Sequence, residues 1–183
     1  MVTDTFEVRI ATRRWEFEQI HRLNYVTFVE EIPQHPADPS GVLVDRFDED
    51  NTYLIAVKGQ QVVGMVAVRG QRPFSLDLKL GDVTRYVPGD RRYCELRLLA
   101  VAREARSGRI LRGLLSALRA HCDAHRYDAA LISGTTRQLR LYRRLGFEPF
   151  GPCTGSADAR FQPMILTRER AVKLLPRVLA SPV

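Results

Sequence analysis

The chain has 183 residues, enough for one domain with a full hydrophobic core. Its 45% hydrophobic and 27% charged residues suit a soluble globular protein, and no apolar run approaches the ~18 residues of a membrane helix. The net charge of +7 is spread unevenly, and the distribution says more than the total.

Residues 1–90 carry 10 Lys and Arg against 14 Asp and Glu, a balance of −4. Residues 91–144 carry 13 Arg, no Lys and 4 acids, a balance of +9, and residues 145–183 return to +2. The middle segment therefore suits a polyanion and the first half a cation. It holds no helix-turn-helix, zinc-finger or RNP-like aromatic pattern, so nucleic acid is not the expected partner. Met1–Ile10 lack the basic start, apolar centre and small-residue cleavage site of a secretory signal. Cys94, Cys122 and Cys153 have no paired spacing, against a disulfide framework or zinc ribbon. These features lead us to expect a cytoplasmic monomer or homodimer, with neither metal nor membrane.

Phe6–Ala11 alternates like a strand, and Thr12 is placed to cap a helix from about Trp15 to Glu30. An acidic loop broken by Pro33, Pro36 and Pro39 follows, down to Asp50. Thr52–Lys58 and Val62–Arg69 read as a hairpin around Gly59, and residues 70–90 as an irregular crossing. Tyr93–Val101 predicts a strand and Gly108–Arg126 an amphipathic helix with Ile110, Leu111, Leu114, Leu115 and Leu118 on one side. Asp128–Ser133 predicts a further strand, and Thr136 a cap for a helix stopping at Gly146. Phe147–Phe150 and Phe161–Leu166 read as closing strands. Arg168–Ala180 has helical spacing, with Pro176 expected to bend or end it. The order describes an α/β sheet with helices on its faces.

One stretch has more specific content. Glu95-Leu-Arg-Leu-Leu-Ala-Val101 leads into Arg106-Ser-Gly-Arg-Ile-Leu111 and a long helix, and Thr135 through Tyr142 to Gly146-Phe147 follows. This order resembles the GNAT superfamily of acyl-thioester-dependent N-acyltransferases, over about residues 5–167, with 168–183 as a C-terminal helical tail. The resemblance implies a GNAT fold: one mixed, mostly antiparallel sheet, helices on both faces, and a splayed central strand pair. It also implies an N-acyltransferase that moves an acetyl or longer acyl group from CoA to a small amine.

The donor's pyrophosphate is suited to the backbone N–H groups of a helix N-terminus. In the family a turn of the form Arg-x-x-Gly-x-Gly supplies them. Arg106 matches its first position, Ser107 follows, and Gly108 is one place off. Arg109 and Leu111 stand where the glycines belong, with Ile110 between them. Arg106–Leu111 is either a phosphate-binding turn or a basic helix start. By the same resemblance, backbone groups of Leu99, Ala100 and Val101 pair with the pantetheine arm and polarise the thioester carbonyl. The same resemblance counts Thr135 among the donor-binding residues.

A leaving thiolate gains from a nearby proton donor, and Tyr142 matches the family position of that acid. The alternative is a core aromatic at helical spacing with Leu139 and Leu145. An ammonium acceptor must lose a proton, and Glu95 is the candidate base; the alternative is an ion pair with Arg97, two residues along a face shared with Leu99 and Val101.

Phe28, Val44–Asp48, Tyr53–Val57 and Val63–Arg69 look like the acyl-homoserine-lactone synthases, and still more like the related N-acyl amino acid synthases. Asn24 and Leu98 replace two arginines of the lactone synthases. That resemblance implies a second donor, the phosphopantetheine of an acidic acyl carrier protein, which the arginine-rich segment would suit. Glu30, Glu31, Asp38, Asp45, Asp48, Glu49 and Asp50 lie in or near the loop that walls the acceptor pocket in the family, and predict a cationic amine.

Overall fold

A computed structural model of the chain describes residues 5–106, 108–156 and 159–180. Eight strands form one mixed sheet in the order β1-β2-β3-β4-β5-β8-β6, with β7 paired to β8. They are β1 (Glu7–Ile10), β2 (Thr52–Lys58), β3 (Gln61–Arg69), β4 (Tyr93–Val101), β5 (Ala129–Thr135), β6 (Glu148–Pro149), β7 (Thr154–Gly155) and β8 (Arg160–Thr167). β4 and β5 run parallel, whereas β1–β2, β2–β3, β5–β8, β6–β8 and β7–β8 are antiparallel. The parallel pairing joins Tyr93–Glu95 to Ala129–Leu131 and stops there, although β4 continues to Val101 and β5 to Thr135. This is the mixed, mostly antiparallel sheet implied by the GNAT resemblance.

The chain divides into two compact units, one of residues 1–68 and 98–121, the other of residues 69–97 and 122–182. In the first, α1 (Arg14–Tyr25) runs into a π-helical turn over Val26–Glu31, together filling the helix that the sequence predicts. Ile20 and Leu23 of α1 pack with Tyr53, Ile55, Met65 and Ala67 on one face of β2 and β3. On the other face Ile110 and Leu114 of α3 (Arg109–Ala124) pack with Ala56 and Val63. Alternation along the strands thus serves two helices at once, and truncating the fully buried Leu114 to Ala would cost about 2–5 kcal/mol. Thr12 does not cap α1. Glu16 does, by accepting from the N–H groups of Thr12 at 2.7 Å and Arg13 at 2.9 Å.

In the second unit, the predicted irregular crossing contains a short helix, α2 (Ser75–Leu80). Phe74, Leu76 and Val83 bury against Tyr93, Ala129 and Leu131. After β5 a 3-10 turn over Thr136–Gln138 leads into α4 (Leu139–Arg144), and the side chain of Thr135, not Thr136, accepts from Arg137 N–H. Gly146 closes α4 at φ +97°, a left-handed stop that glycine adopts without strain. α5 (Arg168–Ala180) continues through Pro176.

Candidate active site

In the first unit, the end of β4 and the turn before α3 hold the predicted donor-binding residues. Leu98 has φ +55°, a left-handed conformation unusual for leucine and worth roughly 1–3 kcal/mol of strain. It interrupts the regular alternation on which a shared face of Glu95, Arg97, Leu99 and Val101 was expected. Beyond it, Leu99 and Val101 pack with the α3 cluster and Leu98 and Ala100 with the α1 cluster. Gly64 makes this close packing possible, since a Cβ there would meet Ile110 Cγ2 at 3.0 Å and Ala100 O at 3.3 Å.

Arg106 donates through Nε to Val101 O at 3.0 Å and forms an ion pair with Glu31 at the end of the π-helical turn. Gly108 takes φ +55° and makes the turn into α3, so the displaced glycine still turns the backbone. Arg109 is exposed, Leu111 half-buried, and Ile110 belongs to the core. Ser107 lies outside the described residues.

The acidic loop largely satisfies itself. Asp45 accepts from Phe47 N–H at 2.9 Å and Asn51 Nδ2 at 3.1 Å. Asp48 accepts from the Tyr53 hydroxyl at 2.7 Å and lies 2.9 Å from His21 Nε2. Asn24, fully buried, donates to Leu43 O at 3.3 Å. These hydrogen bonds hold Asp45 and Asp48 within the loop.

In the second unit, Tyr142 of α4 lies against β5 at Gly134. A Cβ on Gly134 would sit 2.9 Å from two ring carbons, so the glycine is what lets the ring approach. The Tyr142 hydroxyl donates to Gln138 Oε1 at 3.1 Å and receives the backbone N–H of Thr135. Burial raises its pKa above the ordinary tyrosine value despite the Thr135 N–H, so the group holds its proton at neutral pH. The structure thereby brings Tyr142 and Thr135 together.

Glu95 has no exposed surface. It accepts from Ser75 N–H at 2.7 Å, Ser75 Oγ at 2.6 Å and Leu76 N–H at 3.1 Å, and lies 3.6 Å from Arg97 Nη1. Nothing in residues 70–90 predicts α2, so these partners lie outside the sequence reading. Lys79, also on α2, donates to Ser133 Oγ at 2.6 Å and sits 4.0 Å from the centre of the Phe161 ring. Desolvation lowers its pKa to about 8, against the raising influence of Glu95 and with the lowering influence of Arg97. Sequence reasoning missed Lys79 because it stands outside every recognised motif.

The sheet, with its short parallel pair and helices on both faces, is that of a GNAT-like N-acyltransferase. The chain belongs to the N-acyl amino acid synthase FeeM family, whose profile matches residues 19–168. Among solved structures it is similar to BjaI, a CoA-dependent acyl-homoserine lactone synthase solved with MTA, with 22% identity, TM-score 0.78, and 98% of this chain and 92% of that chain covered. It is similar also to FeeM, an N-acyl amino acid synthase from uncultured soil microbes, with 16% identity, TM-score 0.74, and 93% and 94% covered. An acyl-CoA N-acyltransferase from Pseudomonas aeruginosa is a more distant likeness, with 14% identity, TM-score 0.59, and 88% and 97% covered. No curated protein matches the sequence. Among the described residues no helix is long and apolar enough to cross a membrane.

Proposed function

We propose that the protein transfers an acyl group from a phosphopantetheine thioester to the α-amine of an amino acid. The observation that carries this reading is Tyr142, a protonated hydroxyl held against Gly134 beside the Thr135 N–H. Family membership supplies the reaction class. The amine adds to the thioester carbonyl, the C–S bond breaks, and Tyr142 gives its proton to the departing sulfur. The phenolate then recovers a proton from the nitrogen, leaving an amide and a free thiol. Glu95, whose oxygens already take three donors, acts as a positioning residue that fixes α2.

Arg106 favours a carrier protein over CoA as the bearer of the thioester. Its guanidinium is already engaged by Glu31, so a pyrophosphate would have to displace that carboxylate. Arg137, Arg140, Arg143 and Arg144 are exposed on and just before α4, a charge suited to an acidic carrier.

The test is to incubate the protein with decanoyl-CoA or decanoyl-acyl-carrier protein and the twenty amino acids, then read N-decanoyl products and free thiol by mass spectrometry. Product with either donor, lost in Tyr142→Phe, is the expected result. Thiol release without an acyl amide, or no turnover of either donor, would overturn the reading. Product from decanoyl-CoA at the lower KM would reverse the donor order.

A further inference from the structure

Cys94, Cys122 and Cys153 are all free thiols, and their spacing in the sequence pairs none of them. The fold pairs two. In the second unit, Cys94 of β4 and Cys122, near the end of α3, bring their sulfurs to 3.8 Å, although they lie 28 residues apart in the chain. A disulfide bond measures about 2.0 Å, so rotation of the two side chains and a small settling of the backbone would close the gap. Cys94 stands between Tyr93 and Glu95, in the stretch where β4 pairs with β5. Alternation turns its side chain to the face opposite Glu95, so the thiol pair stands apart from the carboxylate that anchors α2.

The two thiols differ in access. Cys94 has no exposed surface, whereas Cys122 is half-buried and can be reached by a small solute. The enclosed Cys94 keeps its proton and donates it toward the Cys122 sulfur. That bond favours a thiolate at Cys122 and holds it below the ordinary thiol value, against burial and the Asp123 charge. The same bond and its own burial push Cys94 up. Cys153 offers the contrast, since it is exposed and its sulfur meets Gln162 Oε1 at 3.0 Å, an amide rather than a second thiol.

We propose that Cys94 and Cys122 form a modification site for hydroperoxides, in which Cys122 takes the oxidant and Cys94 closes a disulfide. The site is independent of the acyl donor and acceptor. The Cys122 sulfur attacks one oxygen of the hydroperoxide, and the O–O bond breaks. The second oxygen leaves as water or an alcohol after taking a proton from solvent, and Cys122 becomes a sulfenic acid. The Cys94 sulfur then attacks the Cys122 sulfur, so that an S–S bond forms as the S–O bond breaks. The departing hydroxide takes the Cys94 proton and leaves as water. Two thiols are oxidised and one hydroperoxide is reduced, which balances the electrons. A disulfide made and undone in this way suits a reducing compartment, where such pairs act as redox sensors.

The probe is hydrogen peroxide, added in small excess to the full chain carrying Cys153→Ser, with free thiols and intact mass read before and after. The expected product has lost both remaining thiols and the mass of two hydrogens. Its peptide map should hold a Cys94–Cys122 cross-link, and dithiothreitol should restore the starting mass. Cys94→Ala should instead keep one added oxygen at Cys122, captured by dimedone, and Cys122→Ala should leave Cys94 reduced at the same dose. Urea unfolding of the reduced variants shows whether each is folded, and the Cys153→Ser protein decides the matter without them. Four results would rule the pair out: both thiols intact at a dose that oxidises an equal concentration of glutathione, cross-linking only in urea, oxygen kept at Cys122 with no cross-link while Cys94 is present, or first oxidation at Cys94.

Discussion

Glu95 on β4 takes two hydrogen bonds from a single residue of α2: Ser75 donates its backbone N–H over 2.7 Å and its hydroxyl over 2.6 Å. A fully buried carboxylate thus caps the start of a helix that lies 20 residues earlier in the chain. Ser75→Ala should cost about 1–3 kcal/mol, because it strands one lone pair of a buried acceptor. Glu95→Gln should cost at least as much, since its amide turns a donor toward other donors. The double variant should be less destabilised than the two single effects together, as partners in one bond require. Urea titrations of all four proteins measure this. Additive losses, or a Glu95→Gln protein of native stability that loses only the acidic limb of its pH–rate profile, would make Glu95 the base instead.

Tyr142→Phe should lower kcat by ~10²–10⁴-fold with donor KM little changed, because the hydroxyl acts chiefly as the thiolate leaves. Gly134→Ala should produce much of the same defect at a distance, since its new methyl would meet the ring at 2.9 Å. Adding Gly134→Ala to Tyr142→Phe should therefore cost kcat little more. Steady-state kinetics with thiol detection reads both. An active Gly134→Ala enzyme with native KM and kcat would show that the ring position is not what matters.

Freeing Arg106 should improve the enzyme's use of CoA. Glu31→Gln removes the carboxylate paired with the guanidinium, so the KM for acyl-CoA should fall severalfold at low salt, with the gain shrinking as ionic strength rises. The KM for the carrier-protein donor should move less. An acyl-CoA KM unchanged in Glu31→Gln would place the pyrophosphate elsewhere.

Acid stability should depend on Glu16. Burial alone would raise its pKa, but the Arg9 guanidinium at 2.5 Å, together with the N–H groups of Arg13 and Thr12, outweighs burial and holds it at about 2. A depressed carboxylate contributes fully above its unfolded value near 4.5, and the contribution is lost as pH falls from there toward about 2. Denaturation between pH 2 and 6 should show a steeper loss in the wild type than in Glu16→Gln. Parallel curves would refute the assignment.

The fold was largely legible because its strands alternate and its two long helices carry broad apolar stripes. β2, β3, β4 and α3 need no partner to announce themselves. α2 could not be read: its six residues, Ser75–Leu80, alternate as a strand would, and part of its N-terminus is satisfied by Glu95, far along the chain. Local preference points to Thr12 and Thr136 as caps because it cannot see that Glu16 and Thr135 are better aimed. Tyr142 stands in a motif that the sequence displays, whereas Lys79 is marked out only by Ser133 and Phe161, which lie far from it in the chain. The acids of residues 30–50 are legible in the opposite sense. Their charge was visible and their partners were not.

The left-handed backbone at Leu98 sets a filter on what that position accepts. Most strand positions sort amino acids by oiliness and branching, and would welcome valine or isoleucine. At φ +55° a β-branched side chain crowds its own peptide, while glycine or asparagine enters with little strain. Leu98 also faces the α1 cluster, which rewards an apolar chain. Shape and solubility thus pull this one residue in opposite directions, and an unbranched Cβ carrying an apolar chain is the compromise between them.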